Sequence, residues 1–367
     1  MRNACSRTLC ALAVGLGWVQ AGLAVEALQP QPLPAISAAS NQSVSSQGDS
    51  TSRLASYSDS AALSPADSRP NLSPCSDGSC QTDCVGRWRD NVEIWSVGDE
   101  FRNIGDVVRT FGGGVPVIAN FGLRTVVNSG FALGNSKIRG QIGGSLGVYD
   151  LQGLDTALFA PNRDAQIQNF FTGGIYKRSN VVIGERVAWG LVYDEFMSNN
   201  WGYLAQSPAL GQMRGLLSYA VNDFNAFGVT GAWGMHSSRA LAFNGPGNVF
   251  SSINTMSYTN VFWTHNYKFG GDTTTFIGAA EGSRIGSWLF GFSGRAPLGE
   301  RAAVYSSFTY VVPHAPFATG DSSRETWNIT AGLVFYLGRK AVAPNISGQQ
   351  GLPLMNVADN GSMLVSN

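Results

Sequence analysis

The sequence predicts an all-β protein, an antiparallel transmembrane β-barrel of about twelve strands preceded by a disordered linker. Three observations predict it. Only 13% of residues are charged and 44% are hydrophobic, yet beyond the N-terminus no apolar run reaches the roughly 18 residues of a membrane helix. The 45 glycines, with 9 Trp, 11 Tyr and 20 Phe, disfavour long helices and suit short strands joined by turns. From Val92 to Gly338, apolar residues alternate with small or polar ones at the period of a strand with two unlike faces.

The N-terminus reads as an export signal over 1–24. Arg2 and Arg7 supply its positive charge, Leu9 to Val19 its apolar stretch, and Gly22 and Ala24 the small residues before cleavage. Residues 25–85 are rich in Ser, Pro and Ala and almost lack aromatics, so they cannot bury enough apolar surface to offset chain entropy. This linker ends in Cys75, Cys80 and Cys84. In an oxidising compartment that spacing points to a local disulfide between two of them rather than a metal site, since no histidine lies near.

The barrel is expected over 86–340. Its last strand sets Trp327, Ile329, Ala331, Leu333 and Phe335 on one face and Asn328, Thr330, Gly332, Val334 and Tyr336 on the other. Another sets Trp288, Phe290, Phe292 and Ala296 against Gly291, Ser293 and Arg295. Eleven strands are expected at 117–127, 137–149, 166–176, 181–193, 213–222, 225–235, 257–269, 273–281, 285–297, 301–312 and 324–338. Their connections alternate between short and long, as in outer-membrane barrels. That parity requires one more strand, at 92–101, and places both barrel ends on the short-turn side. Tyr149, Tyr176 and Tyr193, each beside a charged residue, are expected at the membrane boundary. Residues 341–367 are expected to form a polar C-terminal tail.

Candidate functional residues lie on the inner face, where alternation places Arg124, Arg139, Arg186, Arg214, Lys268 and Arg295 against few acids such as Glu281. Lipid-facing arginine at mid-depth costs about 2–4 kcal/mol, so an inward placement is expected. There they either pair with carboxylates and carbonyls in a narrow barrel, the preferred reading, or line a water-filled pore that favours a small anionic solute. No catalytic, cofactor or metal constellation stands out. His236 and His314 fall in expected loops, His265 sits among Trp263 and Tyr267, and Ser251 and Ser306 form no evident nucleophile pair with them. The 24 basic and 24 acidic residues balance, which excludes an electrostatic grip on nucleic acid.

The runs GGSLGVYDLQG (143–153), Gln168–Asn169–Phe170, Gly173 to Arg178, GLVYDEF (190–196) and GQMRGLLSY (211–219) resemble a family of uncharacterised planctomycete proteins described as outer-membrane β-barrels. The resemblance covers roughly 90–340 and implies a location, the cell outer membrane, rather than an activity. The expected function is therefore a non-enzymatic structural component or small passive channel. Its expected partners are outer-membrane lipid and the barrel-assembly machinery. The alternative is a secreted soluble all-β protein that binds surface polysaccharide, its apolar face covered by a second sheet.

Overall fold

The structure is a computed structural model that describes residues 88–103, 119–134, 136–149, 165–201, 207–244, 247–281, 286–313, 326–342 and 351–366. The expected signal segment, the linker, Cys75, Cys80, Cys84 and His314 lie outside the described residues.

Twelve antiparallel strands close into a barrel: β1 (Val92–Arg102), β2 (Asn120–Ala132), β3 (Arg139–Tyr149), β4 (Gln166–Lys177), β5 (Val187–Asn199), β6 (Ala209–Ala220), β7 (Asn225–His236), β10 (Tyr258–Asn266), β11 (Asp272–Ala280), β12 (Gly286–Pro297), β13 (Ala302–Pro313) and β14 (Thr326–Tyr336). Each pairs with the next barrel strand along the chain, and β1 closes the ring on β14 from Glu93↔Tyr336 to Arg102↔Trp327. Closure leaves no unpaired ladder edge, which a bilayer would penalise. The start of β1 and the end of β14 share one rim, the turn end. Short connections lie there, and the connections at the opposite loop end include the long ones.

Alternation decides the two faces. On β2, Phe121, Leu123 and Val127 point out and are exposed, while Arg124, Val126 and Asn128 point in and are buried. On β14, Ile329, Leu333 and Phe335 point out, and Asn328, Thr330, Val334 and Tyr336 point in. The surface is thus inside out relative to a water-soluble protein: Leu123 is 59% exposed and Val261 56%, whereas Asp99, Asp194 and Thr330 are fully buried.

The structure departs from the expected elements in four places. The run Val181–Ile183 forms a 3-10 turn rather than the start of a strand. Gly184 takes a left-handed φ of 80°, and Asn180 bridges Glu185, so β5 starts only at Val187. The strand expected at 117–127 is likewise displaced, to Asn120–Ala132. The expected loop 236–256 carries a hairpin, β8 (Ser238–Asn244) and β9 (Gly247–Thr255). The tail does not simply trail from the barrel: Val365–Ser366 forms β15, which pairs with β9 at the loop end.

Candidate functional site

The inner face of the barrel mixes polar and charged side chains with apolar ones, and a peptide occupies it. Residues 351–366 run through the lumen, and none of them is solvent-exposed. At the turn end, Tyr176 donates to the Gly351 carbonyl at 3.0 Å. Arg178, just past β4, donates to the carbonyls of Leu352 (2.8 Å) and Pro353. Burial holds the Arg178 pKa below its ordinary value. Further in, Asn128 and Gln141 both donate to the Met355 carbonyl, at 3.0 and 2.9 Å, and the Met355 amide returns a bond to Gln141 at 3.2 Å. Arg214 donates to the Asn356 carbonyl at 2.8 Å, Arg295 to Asn356 Oδ1 at 2.8 Å, and the Ala358 amide donates to Thr172 at 3.0 Å. Towards the loop end, Asn360 bonds Gln168 at 2.8 Å, and Tyr258 and Gln212 donate to the Ser362 carbonyl at 2.8 and 3.2 Å. The Met256 amide then donates to the Leu364 carbonyl at 2.7 Å.

Apolar packing accompanies these bonds. Leu352, Val357, Ala358, Met363 and Val365 join a buried cluster with Trp95, Val126, Phe170, Phe196 and Leu210 of the wall. Two glycines make the room. A Cβ on Gly130 would stand 2.2 Å from the Gly351 oxygen, and one on Gly143 would stand 2.4 Å from Val357 Cγ2. Gly130→Ala is therefore expected to loosen the segment while leaving the strand ladder in place. Faster amide exchange at 351–366 in detergent-solubilised protein, with unchanged exchange at β5 and β14, checks this.

The lumen's charges pair. Asp194 accepts from both Arg214 nitrogens Nε and Nη2, from Thr172 at 2.7 Å and from Gln212 at 3.1 Å. Asp99 accepts from Tyr149 and Thr330 at 2.8 Å and from Asn328 at 2.6 Å, and lies 3.4 Å from Arg124. Arg124 also reaches Asp359 of the segment at 3.3 Å. Arg295 contacts Glu93 at 3.3 Å and sits over the Trp95 ring, 5.1 Å from its centre. Ions this deep are tolerable only when paired and hydrogen-bonded.

Of the six basic residues expected to face inward, the structure places Arg124, Arg214 and Arg295 in the lumen. It sets Arg139 half-buried on the inward row of β3 at the turn end. Arg186 and Lys268 are not there. Arg186 precedes β5 and donates to the Val221 carbonyl at 2.8 Å, and Lys268 is exposed in the turn after β10, so alternation does not apply to either. The acids that answer the arginines are Glu93, Asp99 and Asp194 of the wall and Asp359 of the segment, whereas Glu281 is exposed beyond β11. Tyr149 and Tyr176 correct the boundary expectation, since both point inward and are fully buried. Tyr193 does face out, bonded to Glu195 at 2.6 Å.

A rim of outward aromatics stands near the turn end, with Phe227 stacked on Trp263 and Tyr267 stacked on Phe269. His265 is held in it, 2.9 Å from Asn225 and edge-on to Tyr267. His236 lies 3.3 Å from Glu195 on the outer face. Among the described residues, no three His, Cys, Asp or Glu side chains converge to hold a metal.

The sequence profile of the family of unknown function DUF6666 matches residues 96–365. The chain belongs to that family. The matched span of this DUF6666 protein runs from β1 to β15 and so takes in the luminal segment as well as the wall. No curated protein matches the chain. Among solved structures, it is similar to an outer-membrane channel from Pseudomonas putida F1, at 8% identity and TM-score 0.43, over 67% of this chain and 95% of that one. It is also similar to the NanC porin, at 10% identity and TM-score 0.37, over 66% and 98%. A Pseudomonas aeruginosa FadL homologue matches at 9% identity and TM-score 0.34, over 68% and 90%. These values are low.

Proposed function

We propose that the protein is an integral, non-enzymatic β-barrel of the cell outer membrane, a structural envelope component whose lumen is closed in the state described. On this reading it belongs with the planctomycete barrels its motifs resemble. Its partners are outer-membrane lipid on the outside and the barrel-assembly machinery during insertion. The observation that carries the reading is the inside-out wall: a closed ladder with Leu123, Val229, Val261, Ile277 and Trp288 exposed outward and paired ions buried inward. A continuous apolar belt of this kind on a water-soluble protein would aggregate, whereas hydrocarbon solvates it. The soluble polysaccharide-binding alternative needs a second sheet over that belt. The other sheet among the described residues, β8–β9–β15, instead joins the luminal segment at the loop end.

The test is the gel mobility of membrane fractions extracted in mild detergent, with and without boiling. A closed ladder resists cold detergent, so a mobility shift on boiling is expected, with the protein in the outer-membrane fraction. Recovery from the periplasm or medium with no shift would overturn the proposal.

A further inference from the structure

The segment within the barrel is recognised in an unusual way. Lumen side chains take hold mainly of its main chain: the carbonyls of Gly351, Leu352, Pro353, Met355, Asn356 and Ser362, and the amides of Met355 and Ala358. The donors come from β2, β3, β4, β6 and β10 and from Arg178, so five of the twelve barrel strands contribute. The segment contributes no strand to the barrel ring, whose hydrogen-bonded order is complete without it. Side-chain recognition is added at three points, Asn356 by Arg295, Asp359 by Arg124 and Asn360 by Gln168. Gly130 and Gly143 leave a track in the wall where the peptide backbone and Val357 pass.

We infer that the lumen is a binding site for a peptide, that its resident occupant is the chain's own residues 351–366, and that the barrel conducts ions only when this segment leaves. The inference rests on the membrane-barrel reading above. Occupancy closes the path because the segment enters beside Tyr176 and Arg178 at one rim and ends paired with β9 at the other. Its departure also strips Arg178 of two carbonyl partners and Arg124 of Asp359, so the opened lumen favours anions.

The experiment uses the full chain with a specific protease site placed between 343 and 350, folded first and cleaved afterwards, so that cleavage cannot affect folding. The severed segment is expected to remain with the barrel through gel filtration and to exchange with a labelled synthetic peptide of residues 351–366. In planar phosphatidylcholine bilayers, uncleaved protein is expected to stay at baseline. Cleaved protein washed free of peptide should show stepwise, anion-preferring openings in a KCl gradient, and added peptide should close them. Conductance by the uncleaved chain, silence after the segment has been stripped, cation preference, or openings indifferent to added peptide would each overturn the inference. A chain that shifts on boiling yet stays silent after stripping defeats the gate alone. An uncleaved chain that never shifts defeats the barrel reading beneath it.

Discussion

Asp194→Ala is expected to destabilise the barrel by about 3–5 kcal/mol, the cost of removing one partner of a buried ion pair. Asp194 is fully buried at the middle of β5 and is the common acceptor for Arg214, Thr172 and Gln212. Truncation leaves the Arg214 guanidinium buried in the lumen with its bond to the Asn356 carbonyl. It also leaves the Thr172 hydroxyl without its acceptor, a further desolvation cost, and leaves the Gln212 amide with only its bond to the Ser362 carbonyl. The pair itself need not be strongly stabilising, because desolvating two charges offsets most of their attraction. The double variant Asp194→Leu with Arg214→Met is therefore expected to cost less than the single, with a coupling that a double-mutant cycle measures. Urea titration of the vesicle-inserted protein, read by tryptophan fluorescence, gives both values. Equal, small effects within about 0.5 kcal/mol for both variants would mean that water reaches the pair and the lumen is not filled.

Eleven of the twelve strands were legible because the same two-residue alternation recurs in them, and the remaining one, at 92–101, was legible only from the parity of short and long connections. Trp327 to Phe335 and Trp288 to Phe292 face out as their spacing predicts. Boundaries were less legible where local composition misleads. Val181, Val182 and Ile183 have strand-favouring side chains, but Gly184 at positive φ turns them into a cap on the turn end. The same displacement hid Asp194. With a strand taken to end at Tyr193, Asp194 reads as a solvated residue at its end. With β5 extending to Asn199, it is an inward residue at mid-strand. The luminal role of the C-terminus was not legible from its polar residues: the side chains of Asn356, Asp359 and Asn360 bond the wall, and that of Ser362 bonds Asp359. The available signal was Leu352, Leu354, Met355, Val357, Met363, Leu364 and Val365, more apolar mass than a solvated tail holds. Which inward arginine meets which carboxylate depends on strand register, and alternation alone does not supply it.

The outer face makes the complementary prediction. Val261→Arg is expected to cost about 2–4 kcal/mol, and Ala296→Arg about 0–1 kcal/mol, although both side chains are exposed. Val261 stands in a row with Val229 and Ile277 on the neighbouring strands, away from both rims, where on the proposed membrane reading a guanidinium has only hydrocarbon around it. Ala296 is one residue from the turn-end terminus of β12, which on the same reading puts it within reach of headgroups and water. In a water-soluble protein the order would differ, because replacing an exposed valine by arginine costs almost nothing anywhere on the surface. The same urea titration measures the difference, and its dependence on depth, rather than its mean, is the diagnostic quantity. A cost at Val261 no larger than at Ala296 would mean that the apolar belt faces water, and the membrane assignment would fall with it.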